Sequence, residues 1–245
     1  VIAWRIETYE SLASTSDFCV ERAKAGEQEG LAVLGLTQTA GRGSRGREWQ
    51  APEGNLNLSV LLRPDVKPRD AGIYPLLAGV AVAEALGSFV STEIRPTLKW
   101  PNDVLIGQAK IAGVLIDAAP AQDRIEWLVM GIGINLRRAP VIEGRLTTAL
   151  SDQGGNLDAH NAAGAVLESL SRWLAVHARS GGAAIRDAWL KRAHAIGTAI
   201  EVRSGSGSTN GTFAGISETG ALLLARAGDI QRIDTGEILL GRAAV

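Results

Sequence analysis

The sequence predicts an α+β fold: a mixed, largely antiparallel sheet covered by helices, followed by a small C-terminal β-barrel. Three observations carry this prediction. The runs "TLKW", "VLI", "IAGVLIDA" and "IEWLVMGIGIN" follow one another across tight polar turns, as the strands of an antiparallel meander do. Residues 72–87 and 159–194 carry apolar residues at helical spacing. From Thr198 the pattern changes to short strands, "AIEVRS", "GTFAGIS", "GALLLAR", "DIQRID" and "EILL", broken by Gly, Ser and Asn. The expected division is a main domain over residues 1–196 and a barrel over 197–245. A unit of about fifty residues is near the lower limit for an independent core, so the barrel should lean on its neighbour.

Taken in order, residues 2–6 read as a short strand. Ser14-x-x-Asp17 can cap a helix running to about Ala25, where Gly26 stops it. "LAVLGLT" is a buried strand, and "NLNLSVLLR" alternates, with Leu56, Leu58, Val60 and Leu62 on one face. The helix over 72–87 buries one side. Two helices, 159–179 and 183–194, are separated by Gly181 and Gly182 and should cover one face of the sheet.

Composition bounds the function. Hydrophobic residues make up 46% and charged residues 21%, as in folded water-soluble proteins, and no run of about 18 apolar residues stands out as a membrane span. Lys plus Arg (25) nearly balances Asp plus Glu (26), so a net charge of −1 gives no general attraction to nucleic acid or acidic membranes. A lone cysteine, Cys19, rules out an intrachain disulfide framework, and the first residues show no signal or transit pattern. A cytoplasmic protein is expected. His160, His177 and His194 form no zinc pattern with Cys19.

Glycine is the outlier, 29 of 245 residues against a usual share of about 7%. It concentrates where polar residues exceed what strands and helices need. In "TQTAGRGSRGREW", Gly41, Gly43 and Gly46 would let backbone N–H groups converge on an anion, while Arg42, Arg45 and Arg47 supply planar forks for phosphate. The loop lacks the spacing of a nucleotide P-loop or a dinucleotide fingerprint. By itself it reads equally well as a solvated surface turn. Lys99 and Lys110 lie at opposite ends of a predicted hairpin, where both can face one pocket or simply face solvent. Asn102 and Asp103 can be turn formers, and Trp49 can be core or ligand shelf.

With "STS", "GRGSRGREW", "KWPND", "KIAG" and "GIGIN" in this order, essentially the whole chain resembles the biotin protein ligases. The resemblance implies a catalytic domain like that of class II aminoacyl-tRNA synthetases and an SH3-like C-terminal barrel. It implies an ATP-dependent biotin–[acetyl-CoA-carboxylase] ligase: biotin attacks the α-phosphate of Mg-ATP, pyrophosphate leaves, and biotinyl-5′-AMP acylates a lysine of a biotin carboxyl carrier domain. The family pattern puts biotin against Ser14, Thr15, Gln38, Gly41, Arg42, Gly113 and Lys110, and ATP against Arg45, Arg47, Trp49, Lys99, Asn102 and Lys110. Arg42 and Lys110 would be catalytic, with Asp103 orienting or deprotonating the acceptor amine.

The pattern assigns no metal ligands beyond Mg2+ carried with the nucleotide. No DNA-binding role is expected, since the first strand of the catalytic domain begins within the first few residues; the near-zero net charge and lack of a long apolar run speak against nucleic-acid and membrane partners, and homodimerisation is left open. Two positions depart from the pattern. Ser44 stands where the family usually has arginine, which implies looser retention of biotinyl-AMP. Ser16 stands where it usually has asparagine, and a helix cap would account for that. A lipoate-type ligase and a silent biotin or nucleotide sensor are the competing readings.

Overall fold

The computed structural model describes residues 2–205 and 207–239. A seven-stranded sheet in the order β1-β2-β3-β7-β6-β5-β4 forms the larger part. Its strands are β1 (Arg5–Leu12), β2 (Leu31–Gln38), β3 (Leu56–Leu62), β4 (Thr97–Lys99), β5 (Asp103–Ile106), β6 (Ala109–Ala121) and β7 (Arg124–Ile134). Only β1 and β2 run parallel; every other pair is antiparallel. The mixed, largely antiparallel sheet expected from the meander is what forms. The first strand starts three residues later than expected and runs to Leu12.

The strand period of two sorts this sheet's residues between two helical layers. On one face Leu56, Leu58, Val60 and Leu62 join Ala112, Met130 and Ile132 under α2 (Ile73–Gly87) and α3 (Ala159–Leu190). On the other face Leu31, Val33, Leu61, Trp127 and Val129 meet Cys19 and Ala23 of α1 (Thr15–Lys24) in a smaller core. The alternation in "NLNLSVLLR" is therefore real, but β3 is buried on both faces.

α2 is buried almost all round rather than on one side, because the sheet lies beneath it and α3 above. Among the described residues Pro68–Gly87 is long and apolar enough to cross a membrane by length and composition alone, although it includes Arg69, Asp70 and Glu84; it joins the turn Pro68–Asp70 to α2, whose residues are mostly buried in the core. α3 carries the break foreseen at the glycine pair: Gly181 has φ 70° and ψ −172°, values no helix interior adopts. Its second part ends at Leu190, four residues short of the expected end.

A second sheet, order β11-β10-β9-β8-β12, is antiparallel throughout and comprises β8 (Ala199–Ser204), β9 (Gly207–Ile216), β10 (Leu222–Arg226), β11 (Asp229–Ile233) and β12 (Glu237–Leu239). The last residue of the expected "EILL" strand, Leu240, lies outside the described residues. This sheet does lean on the first. Phe213 packs against Trp189 with ring centroids 6.4 Å apart and planes tilted by 55°, and the buried Trp100 donates its indole N–H to Gly220 O at 3.0 Å. Gly220 and Gly72 approach so closely that a Cβ at either would strike backbone carbonyl, of Gly72 or of Thr219.

Candidate active site

The site lies on the α1 face of the large sheet, where the apolar pattern gives way to glycine and polar residues. Along β7 the face that carries Trp127 and Val129 continues as Gly131 and Gly133, so the sheet has a hollow floor. The hollow is needed. A Cβ on Gly133 would strike the Trp49 indole, and one on Gly131 the Ser16 hydroxyl. The resulting cleft is lined by Thr15, Gln38, Trp49, Lys110, Gly131 and Gly133 and has a cavity volume of about 40 Å³.

Its inner end is polar and uncharged. Ser14 caps α1, its Oγ accepting from Asp17 N at 3.2 Å, and this fixes Thr15 and Ser16 in the first turn. Thr15 N and Oγ1 both donate to Gln38 Oε1, at 2.8 and 3.0 Å, and Gln38 Nε2 donates to Asn57 Oδ1 at 3.2 Å. Ser59 Oγ joins Thr15 Oγ1 at 2.8 Å and Ser16 Oγ at 3.1 Å. Ser16 is thus not a helix cap: Ser14 caps the helix, and Ser16 points at the sheet. Ser14, expected to face ligand, has its hydroxyl engaged in the cap and does not line the cleft.

The outer end is cationic. A register shift between β5 and β6 skips Ile111, so Lys110 and Gly113 share a face although they are three residues apart. Lys110 Nζ packs against Gly113 and lies 5.4 Å from the centre of the Trp49 ring. Behind it sits Asp103, 6% exposed, with Oδ1 paired to Lys110 and Oδ2 2.9 Å from Lys99 Nζ. Burial pushes this carboxyl upward, but the Lys110 and Lys99 ammonium groups outweigh it and hold it below the usual carboxylate range. Lys99 and Lys110 do meet, around a carboxylate. Asn102 lines the cleft and ties its backbone and side chain to Val114, holding the turn against β6.

The arginine loop folds as a small hairpin over the mouth. Trp49 N donates to Gly41 O at 2.8 Å and Gly43 N to Arg47 O at 2.7 Å, with Arg45 at the tip in the left-handed region (φ 61°). Gly41 is required because a Cβ there would meet Trp49 O at 2.5 Å. The expected convergence of glycine N–H groups on an anion is not formed at Gly43, whose N–H closes the hairpin, so the side chains carry the positive field. Arg42 lies between Asp17 of α1 (2.8 Å) and Asp117 of β6 (2.7 Å). Ser44, the departure noted above, accepts from Arg47 through Oγ (2.9 Å) and O (3.1 Å) and so orients that guanidinium.

Arg45 and Arg47 turn toward Glu237 of β12, at 3.4 and 2.8 Å, and Arg145 reaches the same carboxylate at 3.2 Å. Burial raises the Glu237 carboxyl and these neighbours, Arg145 and Arg47 foremost, bring it below its ordinary value. Sequence reasoning missed Asn57, Ser59, Arg145 and Glu237. Asn57 and Ser59 did leave a signal, as polar residues at alternate positions of an apolar strand. Arg145 and Glu237 left none, since only the packing of the second sheet on the first brings them to the loop.

An uncharged polar recess, a glycine floor and a cationic mouth on one sheet face have the chemistry of a site for a neutral polar ring with an anion beside it. Residues 9–135 match the Biotin/lipoate A/B protein ligase family and residues 195–241 the Biotin protein ligase C terminal domain. The chain belongs to the biotin/lipoate A/B protein ligase family. It is 36% identical over 215 residues to the biotin–[acetyl-CoA-carboxylase] ligase of Paracoccus denitrificans, covering 85% of this chain and 90% of the relative. It is 32% identical to the bifunctional ligase/repressor of Escherichia coli over 94% of this chain and 72% of that protein. The biotin protein ligase from Aquifex aeolicus, solved in complex with biotin and ATP, superposes with a TM-score of 0.80 at 29% identity over 97% of this chain and 99% of that one.

Proposed function

We propose that this chain is an ATP-dependent biotin protein ligase, which converts biotin and ATP to biotinyl-5′-AMP and pyrophosphate and passes the biotinyl group to a lysine of a biotin carboxyl carrier domain. The observation that carries the reading is the continuity of the polar recess, through one glycine floor, with Lys110 and Arg42. The ureido ring of biotin is neutral and offers N–H donors and a carbonyl acceptor, which suits Thr15, Gln38, Asn57 and Ser16. Lipoate has no such groups in its ring. It would gain no hydrogen bond from these groups, which pair with one another through Ser59 and Gly35 O, so the recess favours a ring that carries its own donors and acceptor.

The biotin carboxylate then points along the floor toward Lys110 and Arg42. Attack of one of its oxygens on the α-phosphorus brings two anions together, and Lys110 neutralises the charge that builds as the bond to pyrophosphate breaks. Arg47 and Arg45 take the phosphates, Asn102 the adenine and Trp49 a wall. Lys99 and Asp103 act from behind. A carboxylate held low by two ammonium groups is a weak base, so we assign Asp103 to fixing Lys110 rather than to deprotonating the acceptor amine. Mg2+ enters with ATP as part of the substrate. Among the described residues no group of three or more His, Cys, Asp or Glu is assembled to hold a metal. The two units, divided near residue 196, work together through Glu237.

Exchange of labelled pyrophosphate into ATP tests the first half-reaction. Exchange that requires biotin and is not supported by lipoate is expected. Biotin binding without any exchange would make the protein a sensor instead.

A further inference from the structure

One side chain ties together the two loops that flank the cleft. Asn55, 1% exposed, stands just before β3, where the chain returns from the arginine loop. Its Oδ1 accepts from three successive backbone N–H groups, Leu136 and Arg137 at 3.0 Å and Arg138 at 3.3 Å. Its Nδ2 donates to Arg138 O at 2.8 Å. Consecutive amides converging on one point form a nest suited to an anion, and here a neutral carboxamide fills it.

Residues 136–138 are the first foot of a hairpin closed by the Ile142–Arg145 bridge. The second foot is stitched to the reactive lysine's backbone: Lys110 N donates to Leu146 O at 2.9 Å and Thr148 N to Lys110 O at 3.0 Å. Between these feet the hairpin carries Arg145 to the carboxylate that also holds Arg45 and Arg47. None of the Asn55 hydrogen bonds runs to Thr15 or Gln38, which belong to α1 and β2.

We propose that Asn55 is a positioning residue for the adenylation step: by filling the nest at 136–138 it sets the hairpin, and thereby Arg145, in register with the arginine loop at the polyphosphate end. The inference rests on the ligase reading. It separates the two substrates: the ATP end depends on Asn55 and the biotin end does not.

The test compares wild type, Asn55→Ala and Asn55→Asp, each as the full chain. Asn55→Ala removes the acceptor from three buried amides, so the KM for ATP in biotin-dependent pyrophosphate exchange should rise about tenfold, while the calorimetric Kd for biotin stays within about twofold. Asn55→Asp keeps the acceptor and should restore the KM to within about threefold of wild type. Amide hydrogen exchange over 136–147 should quicken in Asn55→Ala and not in Asn55→Asp, with residues 15–38 unchanged.

An unaltered KM for ATP in Asn55→Ala would overturn the proposal. So would an equal loss of biotin affinity, or a failure of Asn55→Asp to restore the KM while it still unfolds cooperatively. Should Asn55→Ala not fold, Asn55→Asp and an Arg145→Ala, Asn55→Asp pair decide: the proposal requires Arg145→Ala to raise the KM for ATP, and an unchanged KM rejects it. Absence of exchange in wild type would count against the ligase reading; Asn55 would then stand or fall on the amide exchange at 136–147 alone.

Discussion

Lys110 is held in place by a neighbour that the sequence disguises. That Lys99 and Lys110 could approach one another was legible, because a hairpin between two lysines brings them together; they meet at Asp103, with only Lys110 lining the cleft. The role of Asp103 was not, because "PND" reads as an ordinary turn and the skipped register at Ile111 that aims Lys110 at it leaves no mark in the pattern. Lys110→Ala should lower pyrophosphate exchange by about a hundredfold or more, the scale of removing one donor to developing charge. Single-turnover rates measure this, and a biotin Kd shifted by less than tenfold would confine the loss to chemistry. Asp103→Asn has a signed consequence in pH. The folded carboxyl lies below its unfolded value, so its ion pairs stabilise the protein fully above about pH 4 and lose that contribution as pH falls through the folded pKa. Denaturant unfolding of wild type and Asp103→Asn should therefore differ most near neutral pH and converge in acid. A constant difference would contradict this account of Asp103.

β7 shows how an element makes a site by omission. On one face Leu128, Met130, Ile132 and Ile134 build the larger core; on the other, Trp127 and Val129 join the smaller core and then Gly131 and Gly133 leave room for Ser16 and Trp49. Gly133→Val should fill that space, displace the Trp49 indole and weaken biotin binding by at least about tenfold, since overpacking a fitted wall costs about 1–3 kcal/mol. Calorimetry measures the affinity, and a cooperative melt confirms that the strand still pairs. The meander and the capped α1 were legible because each rests on local signals: a period of two with turn residues, and Ser14 three residues before Asp17. The nearly complete burial of α2 was not, because a periodic helix does not reveal how many layers enclose it. The loop's internal hydrogen bonding was equally hidden, since a Gly/Arg run does not say whether its N–H groups point at a ligand or at its own carbonyls.

On the scale of the whole molecule, the second sheet is a wall of the site. Glu237 gathers Arg45, Arg47 and Arg145, so the loop over the cleft is latched to a strand nearly two hundred residues away. Glu237→Gln removes the charge that holds three guanidinium groups. Trypsin should then cut after Arg45 and Arg47 several times faster under native conditions, with the rest of the chain resistant; equal cleavage rates would show that the latch does not restrain the loop. That the C-terminal strands would lean on the catalytic unit followed from their small size; that they would reach the arginines did not. The account as a whole rests on transfer of biotin to protein. The protein, Mg-ATP, a purified biotin carboxyl carrier fragment and either biotin or lipoate should be incubated and the fragment's intact mass read. A biotin-sized addition, absent with lipoate and absent when the target lysine is replaced, is the predicted result. An unmodified fragment, despite measurable biotin binding, would contradict it.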